Sequence, residues 1–115
     1  HLERIAAVAR ASGARLVLAP MAAAWPADDE AMAAAIAANE GPMSHFWGAT
    51  RPAVRGLEAN NAALAEVARE TAAAYCPAAL SFPRTGTYFR DLCHLTEEGM
   101  EALATALAEC IAGGR

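Results

Sequence analysis

The sequence predicts an α/β fold with parallel strands, because short apolar runs alternate with longer segments of helical periodicity. The two runs are RLVLAP at 15–20 and YCPAAL at 75–80, and each follows a helical segment. Strands that alternate with helices favour a parallel sheet, since a helix carries the chain back before the next strand starts. Two strands make too small a sheet to be covered well, so we expect further strands upstream of residue 1.

The composition indicates one folded domain without a nucleic-acid or membrane partner. The sequence is 56% hydrophobic and 19% charged, which is too apolar for a disordered chain, so we expect residues 1–115 to form a single, partial domain. The net charge is −4, and the nine basic residues are scattered arginines, whereas nucleic acids and anionic membranes need clustered positive charge. No apolar run approaches the roughly 20 residues that cross a bilayer, so no transmembrane segment is expected. No targeting sequence indicates a compartment.

The first half of the chain is predicted to hold a helix, a strand and an insertion. Helical periodicity covers 2–12, and Gly13 follows as a left-handed cap. After the first strand, the segment 27–56 departs from the alternation of helix and strand, and we interpret it as an insertion. It begins with an alanine-rich helix near 28–39, which a glycine-proline pair at 41–42 is expected to end.

The second half is predicted to hold two longer helices around an edge strand. A helix covers 57–74, and the strand at 75–80 is assigned to a sheet edge because Pro77 has no N–H for a ladder. The last helix runs over 96–112, with Thr96 as its N-cap. Its apolar residues at helical spacing predict a buried stripe of Met100, Leu103, Leu107 and Ile111.

The candidate site lies in the sequence DLCHLTEEG, where Asp91 comes three residues before His94. In acyl transfer, a histidine takes a proton from a weak nucleophile, and a carboxylate on its other ring nitrogen fixes the tautomer. The pair follows the second strand by a loop, and ligand sites of parallel sheets lie beyond the carboxyl ends of strands. Taken alone, the spacing favours two solvated surface residues over a catalytic pair.

The sequence around this pair resembles a known family. The run FRDLCHLTEEGMEALATALAECI at 89–111 closely resembles the last conserved block of the SGNH hydrolases, or GDSL esterases and lipases, in which Asp-x-x-His precedes Leu-Ser/Thr-x-x-Gly. The matching positions are Asp91, His94, Leu95, Thr96 and Gly99. The segment 1–20 is similar to a helix and the fourth strand of the family's fold, and 57–80 is similar to the next helix and the fifth, edge strand. The insertion at 27–56 has no counterpart.

This resemblance implies a flavodoxin-like three-layer (αβα) fold, of which the chain is the C-terminal portion. It also implies that His94 is a general base toward a serine and that Asp91 orients it. Family members hydrolyse small acyl esters without a metal or an organic cofactor, so neither is expected here.

The family's nucleophile and oxyanion groups have no match in this sequence. The nucleophile belongs to a Gly-Asp-Ser motif, and none of Ser12, Ser44 and Ser81 lies in one. We therefore expect the serine to come from the N-terminal half of the same domain, and the 115-residue chain alone to lack esterase activity. The alternative is a non-catalytic remnant or interaction module that pairs its sheet edge with a partner chain.

The cysteines are expected to be free thiols. Cys76, Cys93 and Cys110 form no Cys-x-x-Cys motif, so a disulfide framework is not predicted. A metal ion shared by Cys93, His94 and Cys110 is excluded by reach, because Cys110 lies about 20 Å along the last helix.

Three further groups of residues carry two interpretations each. The stretch MSHFW at 43–47 forms either an acyl- or sugar-binding wall or a loop anchored on the core. The acidic start of the insertion helix, Asp28 to Glu30, is explained by the helix dipole without a cation site. Arg84 and Arg90 either bind an anionic substrate group or pair with surface acids such as Glu97 or Glu98.

Overall fold

The chain combines four α-helices with a small parallel sheet in the part that the structure describes. The structure is a computed structural model that describes residues 1–47 and 49–113, without the side chains of 39–47. In chain order, the elements are α1 (Leu2–Ala11), β1 (Val17–Leu18), α2 (Glu30–Trp47), α3 (Thr50–Thr71), β2 (Ala74–Tyr75), a 3-10 helix (Pro77–Ser81) and α4 (Glu97–Gly113). The predicted α/β class is confirmed.

The sheet consists of β1 and β2 in parallel, with Val17 opposite Ala74 and Leu18 opposite Tyr75. The amide of Ala74 donates to the carbonyl of Leu16 (3.1 Å), and the amide of Cys76 donates to the carbonyl of Leu18 (2.9 Å). Helix α3 connects the two strands and packs against both, and α1 lies beside α3. This arrangement is a parallel strand–helix–strand unit, as the alternation in the sequence predicts.

The predicted end of the first helix and the predicted start of the last helix are both confirmed. Helix α1 ends at Ala11, and Gly13 follows with φ of 71°, a left-handed conformation that glycine adopts without steric cost. At the start of α4, the amide of Gly99 donates to Thr96 Oγ1 (3.0 Å), which makes Thr96 the predicted N-cap.

Two predictions about helix and strand limits are wrong. Helix α2 continues through the glycine-proline pair at 41–42 as far as Trp47, and α3 already begins at Thr50. The run YCPAAL contributes only Tyr75 to a strand, because the chain turns into a 3-10 helix at Pro77. Proline is common at the first position of a helix, because its fixed φ fits the helix there. The N–H that proline lacks would have no intrahelical acceptor at this position.

The predicted stripe of α4 is only partly correct. Leu103 and Leu107 are half-buried, but the side chains of Met100 and Ile111 are 53% and 43% exposed. The reason is Gly99, where an added Cβ would collide with the backbone carbonyl of Tyr88. This contact turns the face that carries Gly99 and Leu103 inward, and so turns Met100 outward.

The most buried apolar cluster lies under the segment 82–95 rather than under the sheet. Its buried members are Ala24, Met32, Ile36, Phe82 and Phe89. Met32 and Ile36, which belong to the segment interpreted as an insertion, are 0% and 3% exposed. The two phenylalanine rings meet edge to face with centroids 5.9 Å apart. The start of α2 is therefore part of the core that supports the candidate site.

A disulfide joins Cys76 to Cys110, which corrects the expectation of free thiols at these positions. The two Cα atoms are 5.9 Å apart and the bond closes a sequence separation of 34. It ties the end of β2 to the last turns of α4. Cys93 is a free, exposed thiol. Cysteine spacing could not show this pairing, because it depends on how α4 packs across the 3-10 helix.

The molecule is flat and extended for its length. Its radius of gyration is 15.8 Å, whereas a compact domain of this length has about 13 Å. Its accessible surface is 7423 Å², against about 5,900 Å² for a compact monomer of this mass. The chain therefore leaves more surface in solvent than a compact monomer of the same mass does.

Within the ranges that the structure describes, no helix combines the length and the apolar character that crossing a bilayer requires.

Candidate functional site

A tight hairpin presents the Asp91–His94 pair. Phe89 and Leu95 form an antiparallel bridge, and the amide of Arg90 donates to the carbonyl of His94 (2.8 Å). The buried ring of Phe89 anchors one arm in the core. The other arm continues into the N-cap of α4. Because both arms are fixed, the intervening turn has a defined position.

The two predicted site residues are in direct contact. His94 Nδ1 lies 2.9 Å from Asp91 Oδ2 and 3.0 Å from Oδ1. Asp91 Oδ1 also accepts the backbone amides of Cys93 (3.0 Å) and His94 (2.9 Å). The carboxylate therefore stabilises the turn and holds the imidazole at the same time. This is the hydrogen bond that the spacing in the sequence predicts.

The surroundings of Asp91 favour its ionised form. Partial burial acts to raise the pKa of Asp91, but the amides of Cys93 and His94, together with the His94 ring, outweigh it and lower the pKa below its ordinary value. An ionised carboxylate accepts hydrogen bonds only, so its ring partner Nδ1 carries the proton. In the neutral form of the ring, Nε2 then presents a lone pair.

The imidazole faces solvent, in a hairpin that is joined to the segment after β1. The amide of Ala24, in the segment that follows β1, donates to the carbonyl of Leu92 at the tip of the hairpin (2.9 Å). The side chain of His94 is 66% exposed, and that of Asp91 is 29% exposed. Nε2 makes no hydrogen bond to any residue in the described part of the chain. It is accessible to a group supplied from outside.

Threonine and glycine fix the join between the hairpin and α4. The hydroxyl of Thr96 donates to the carbonyl of Thr87 (2.6 Å) and accepts from the amide of Gly99 (3.0 Å). The amide of Thr96 donates to the carbonyl of Tyr88 (3.0 Å), against which Gly99 packs. The Leu-Thr-x-x-Gly sequence therefore sets the position of α4 relative to the turn.

The acidic start of α2 is fastened to the loop before the hairpin. Asp28 Oδ1 lies 3.0 Å from the Arg84 guanidinium, and Asp28 Oδ2 accepts the Arg84 amide (2.8 Å). That amide, followed by the guanidinium, lowers the pKa of Asp28. Asp29 caps α2 through the amide of Met32 and also accepts the amide of Gly86 (3.0 Å). The helix-dipole interpretation is thus correct for Asp29, and the partner of Arg84 is Asp28 rather than Glu97 or Glu98.

Sequence reasoning missed this connection and the core role of Met32 and Ile36. Asp28 and Arg84 are 56 positions apart, and no local pattern joins them. A usable signal was present for the core residues, because they are large apolar side chains four positions apart among alanines.

No serine hydroxyl contacts His94 among the residues that the structure describes in full. The hydroxyls of Ser12 and Ser81 donate to backbone carbonyls of their own turns, at Ala9 and Ala78. The stretch at 43–47, which contains Ser44, lies outside the described side chains. Cys93 Sγ is 3.8 Å from His94 Nδ1, but burial and the charge of Asp91 raise the pKa of this thiol. A protonated thiol is a poor nucleophile.

Comparisons of the chain with protein-family models, with curated proteins and with solved structures find no match.

Proposed function

We propose that the chain is the C-terminal portion of a serine esterase of the SGNH type with a flavodoxin-like three-layer fold. The observation that carries this proposal is the Asp91–His94 hydrogen bond of 2.9 Å, on a ring that is exposed to solvent. His94 acts as the general base toward a serine hydroxyl, and Asp91 is its positioning residue. The substrate class is small acyl esters.

The reaction follows from the free ring nitrogen. Nε2 of His94 accepts the proton of the serine hydroxyl while its oxygen forms a bond to the ester carbonyl carbon. The resulting imidazolium is stabilised by the ionised Asp91. His94 then returns the proton to the departing alkoxide, which leaves an acyl-serine, and it activates a water molecule to release the acid. The serine and the oxyanion donors belong to the N-terminal half of the domain.

The free edge of β1 is where this N-terminal half is expected to pair. The carbonyls of Leu16 and Leu18 face β2, so the amide and carbonyl of Val17 face the opposite edge, which is unpaired within the described sheet. Helix α1 leads into β1 and packs beside α3, so the two helices lie on the same face of the sheet. Crossovers between parallel strands are right-handed, and a parallel strand before α1 would therefore pair with the edge of β1 that is opposite β2. Exposed Ile5 (51%) and Val8 (69%) lie on α1, where a neighbouring helix would cover them.

The same edge supports the alternative of a non-catalytic interaction module. A partner chain that adds a strand to β1 would satisfy the same backbone groups without supplying a serine. The two possibilities differ in what lies upstream of residue 1.

Sequencing the gene upstream of residue 1, followed by an assay of the whole reading frame, tests the proposal. We expect a Gly-Asp-Ser motif after an apolar strand, and hydrolysis of p-nitrophenyl butyrate. His94→Ala or Asp91→Asn should each lower kcat by about 10³-fold or more, as for other triads. Arg69→Ala, at an exposed position of α3, is the control. A reading frame without such a serine, or full activity in His94→Ala, would show that the proposal is wrong.

A further inference from the structure

Three chemically different metal-ligand atoms converge at the tip of the hairpin. A carboxylate oxygen of Asp91, the sulfur of Cys93 and a ring nitrogen of His94 all lie within 4.8 Å of one another. They come from a single turn, whose backbone amides are bonded to Asp91 Oδ1. Sequence reasoning considered Cys93 and His94 only with Cys110, but Cys110 is held in the disulfide and Asp91 takes the third position.

We propose that Asp91, Cys93 and His94 bind a borderline or soft divalent metal ion, with Zn²⁺ as the representative. A set of one sulfur, one imidazole nitrogen and one carboxylate oxygen favours Zn²⁺, Co²⁺ or Cd²⁺ over Mg²⁺ and Ca²⁺, which prefer oxygen ligands alone. Three protein ligands leave the remaining coordination position to solvent.

Two of the three distances between the ligand atoms are near the value that this coordination needs, and the third is below 4.8 Å. With bonds of about 2.0–2.3 Å, neighbouring ligands of a tetrahedral Zn²⁺ are roughly 3.5 Å apart. Cys93 Sγ lies 3.8 Å from His94 Nδ1, and His94 Nδ1 lies 2.9 Å from Asp91 Oδ2. The first distance must shorten slightly, and the second must widen as the ion enters between the two atoms.

The turn also supplies the hydrogen bonds that orient a ligating carboxylate. Asp91 Oδ1 keeps the amides of Cys93 and His94 as donors, which leaves Oδ2 for the metal. On binding, the Cys93 thiol loses its proton to solvent and forms a thiolate–metal bond. The Nδ1 proton of the neutral His94 ring is exchanged through solvent to Nε2, so each bound ion releases one net proton, which comes from sulfur. The bonds made are to Nδ1, Oδ2 and Sγ, and no redox change is involved.

Metal binding and general-base chemistry would exclude each other. A metal on Nδ1 displaces the proton that this nitrogen shares with Asp91, so the ring loses the arrangement used in catalysis. This consequence rests on the proposed function, whereas the binding site itself does not.

Spectroscopic titration of the 115-residue chain with Co²⁺, under non-reducing conditions, tests the site. Since Cys76 and Cys110 form the disulfide, Cys93 is the single thiol that can give a thiolate-to-cobalt charge-transfer band. We expect this band to saturate at one equivalent, and Zn²⁺ but not Mg²⁺ to abolish it. The experiment uses a His1→Ala background, because the amino group and ring of an N-terminal histidine form a competing chelate.

Matched variants identify the ligands. Cys93→Ser should abolish the band, and His94→Ala and Asp91→Asn should each weaken Zn²⁺ affinity by about tenfold or more, while Arg90→Ala leaves both unchanged. Circular dichroism confirms that each variant is folded. A band that persists in Cys93→Ser, a Zn²⁺ affinity unchanged in His94→Ala, or no band at millimolar Co²⁺ would each overturn the proposal. The readout is independent of esterase activity.

Discussion

The two ends of the molecule differ in how completely they are packed. At the hairpin end, Phe89 and Ile36 are 2% and 3% exposed, and loops from three parts of the chain are joined by hydrogen bonds. At the α1–β1 end, Ile5 and Val8 are 51% and 69% exposed, and one edge of β1 is unpaired within the described sheet. The comparison teaches that the Asp91–His94 geometry is supported by its own surroundings, whereas apolar side chains of α1 and one edge of β1 have no cover within the described residues.

The largest difference in unfolding free energy is expected when one isoleucine at each end of the molecule is replaced by alanine. Ile36→Ala should lower the free energy of unfolding by about 3–4 kcal/mol, because it opens a cavity in the buried cluster. Ile5→Ala, also in a helix, should change it by less than about 0.5 kcal/mol, since that side chain is already half in solvent. Urea unfolding monitored by circular dichroism measures both. Equal losses would contradict the difference between the two ends.

Loss of the disulfide should have the next largest effect. Cys76→Ser with Cys110→Ser is expected to destabilise the chain by about 3 kcal/mol, because the bond restricts a long loop of the unfolded chain. Cys93→Ser is the control and should be nearly neutral, since this thiol is exposed. Thermal unfolding with and without reductant makes the measurement. A wild-type melting temperature that does not respond to reductant would contradict the assignment of the Cys76–Cys110 bond.

Two glycines in helices provide a third comparison. Gly99→Ala should destabilise by about 2 kcal/mol, because its Cβ meets the Tyr88 carbonyl and forces the hairpin away from α4. Gly56→Ala in α3 meets nothing within 4 Å and should stabilise by up to about 1 kcal/mol through helix propensity. If both variants shift urea unfolding in the same direction, the packing of Gly99 on Tyr88 is refuted.

The smallest effect is expected in the free energy of unfolding at acidic pH. Because the pKa of Asp91 is lowered in the folded state, its contribution is present above the unfolded value of about 3.9 and is lost as pH falls through the folded value. The difference in unfolding free energy between wild type and Asp91→Asn should therefore shrink as pH falls below about pH 5. Glu58→Gln, on an exposed position of α3, is the control. A difference that grows as pH falls from about pH 5 to pH 3 would contradict the lowered pKa.

Local signals in the sequence predicted the parts of the fold that depend on local interactions. Gly13 and Thr96 mark helix ends because each acts through its own backbone or through residues within one turn. Likewise, the Asp91–His94 contact was predictable because a turn of this length brings the carboxylate back to the ring.

The remaining features depend on residues that are distant in sequence. The inward face of α4 is set by Gly99 against Tyr88, the loop at Arg84 by Asp28, and the disulfide by the packing of α4 over the 3-10 helix. None of these contacts has a periodicity or spacing that a sequence pattern reveals. The serine that the proposed function requires could not be predicted from this sequence, because none of its three serines lies in a Gly-Asp-Ser motif.

The tautomer of the His94 ring is the most direct measure of the central claim. Long-range ¹H–¹⁵N correlation spectra of the folded chain, assigned with His94→Ala, distinguish a protonated Nδ1 from a protonated Nε2. We predict that neutral His94 carries its proton on Nδ1, held by Asp91, and that Asp91→Asn disturbs this preference. A His94 ring that is protonated on Nε2, with the same spectrum in Asp91→Asn, would contradict the account.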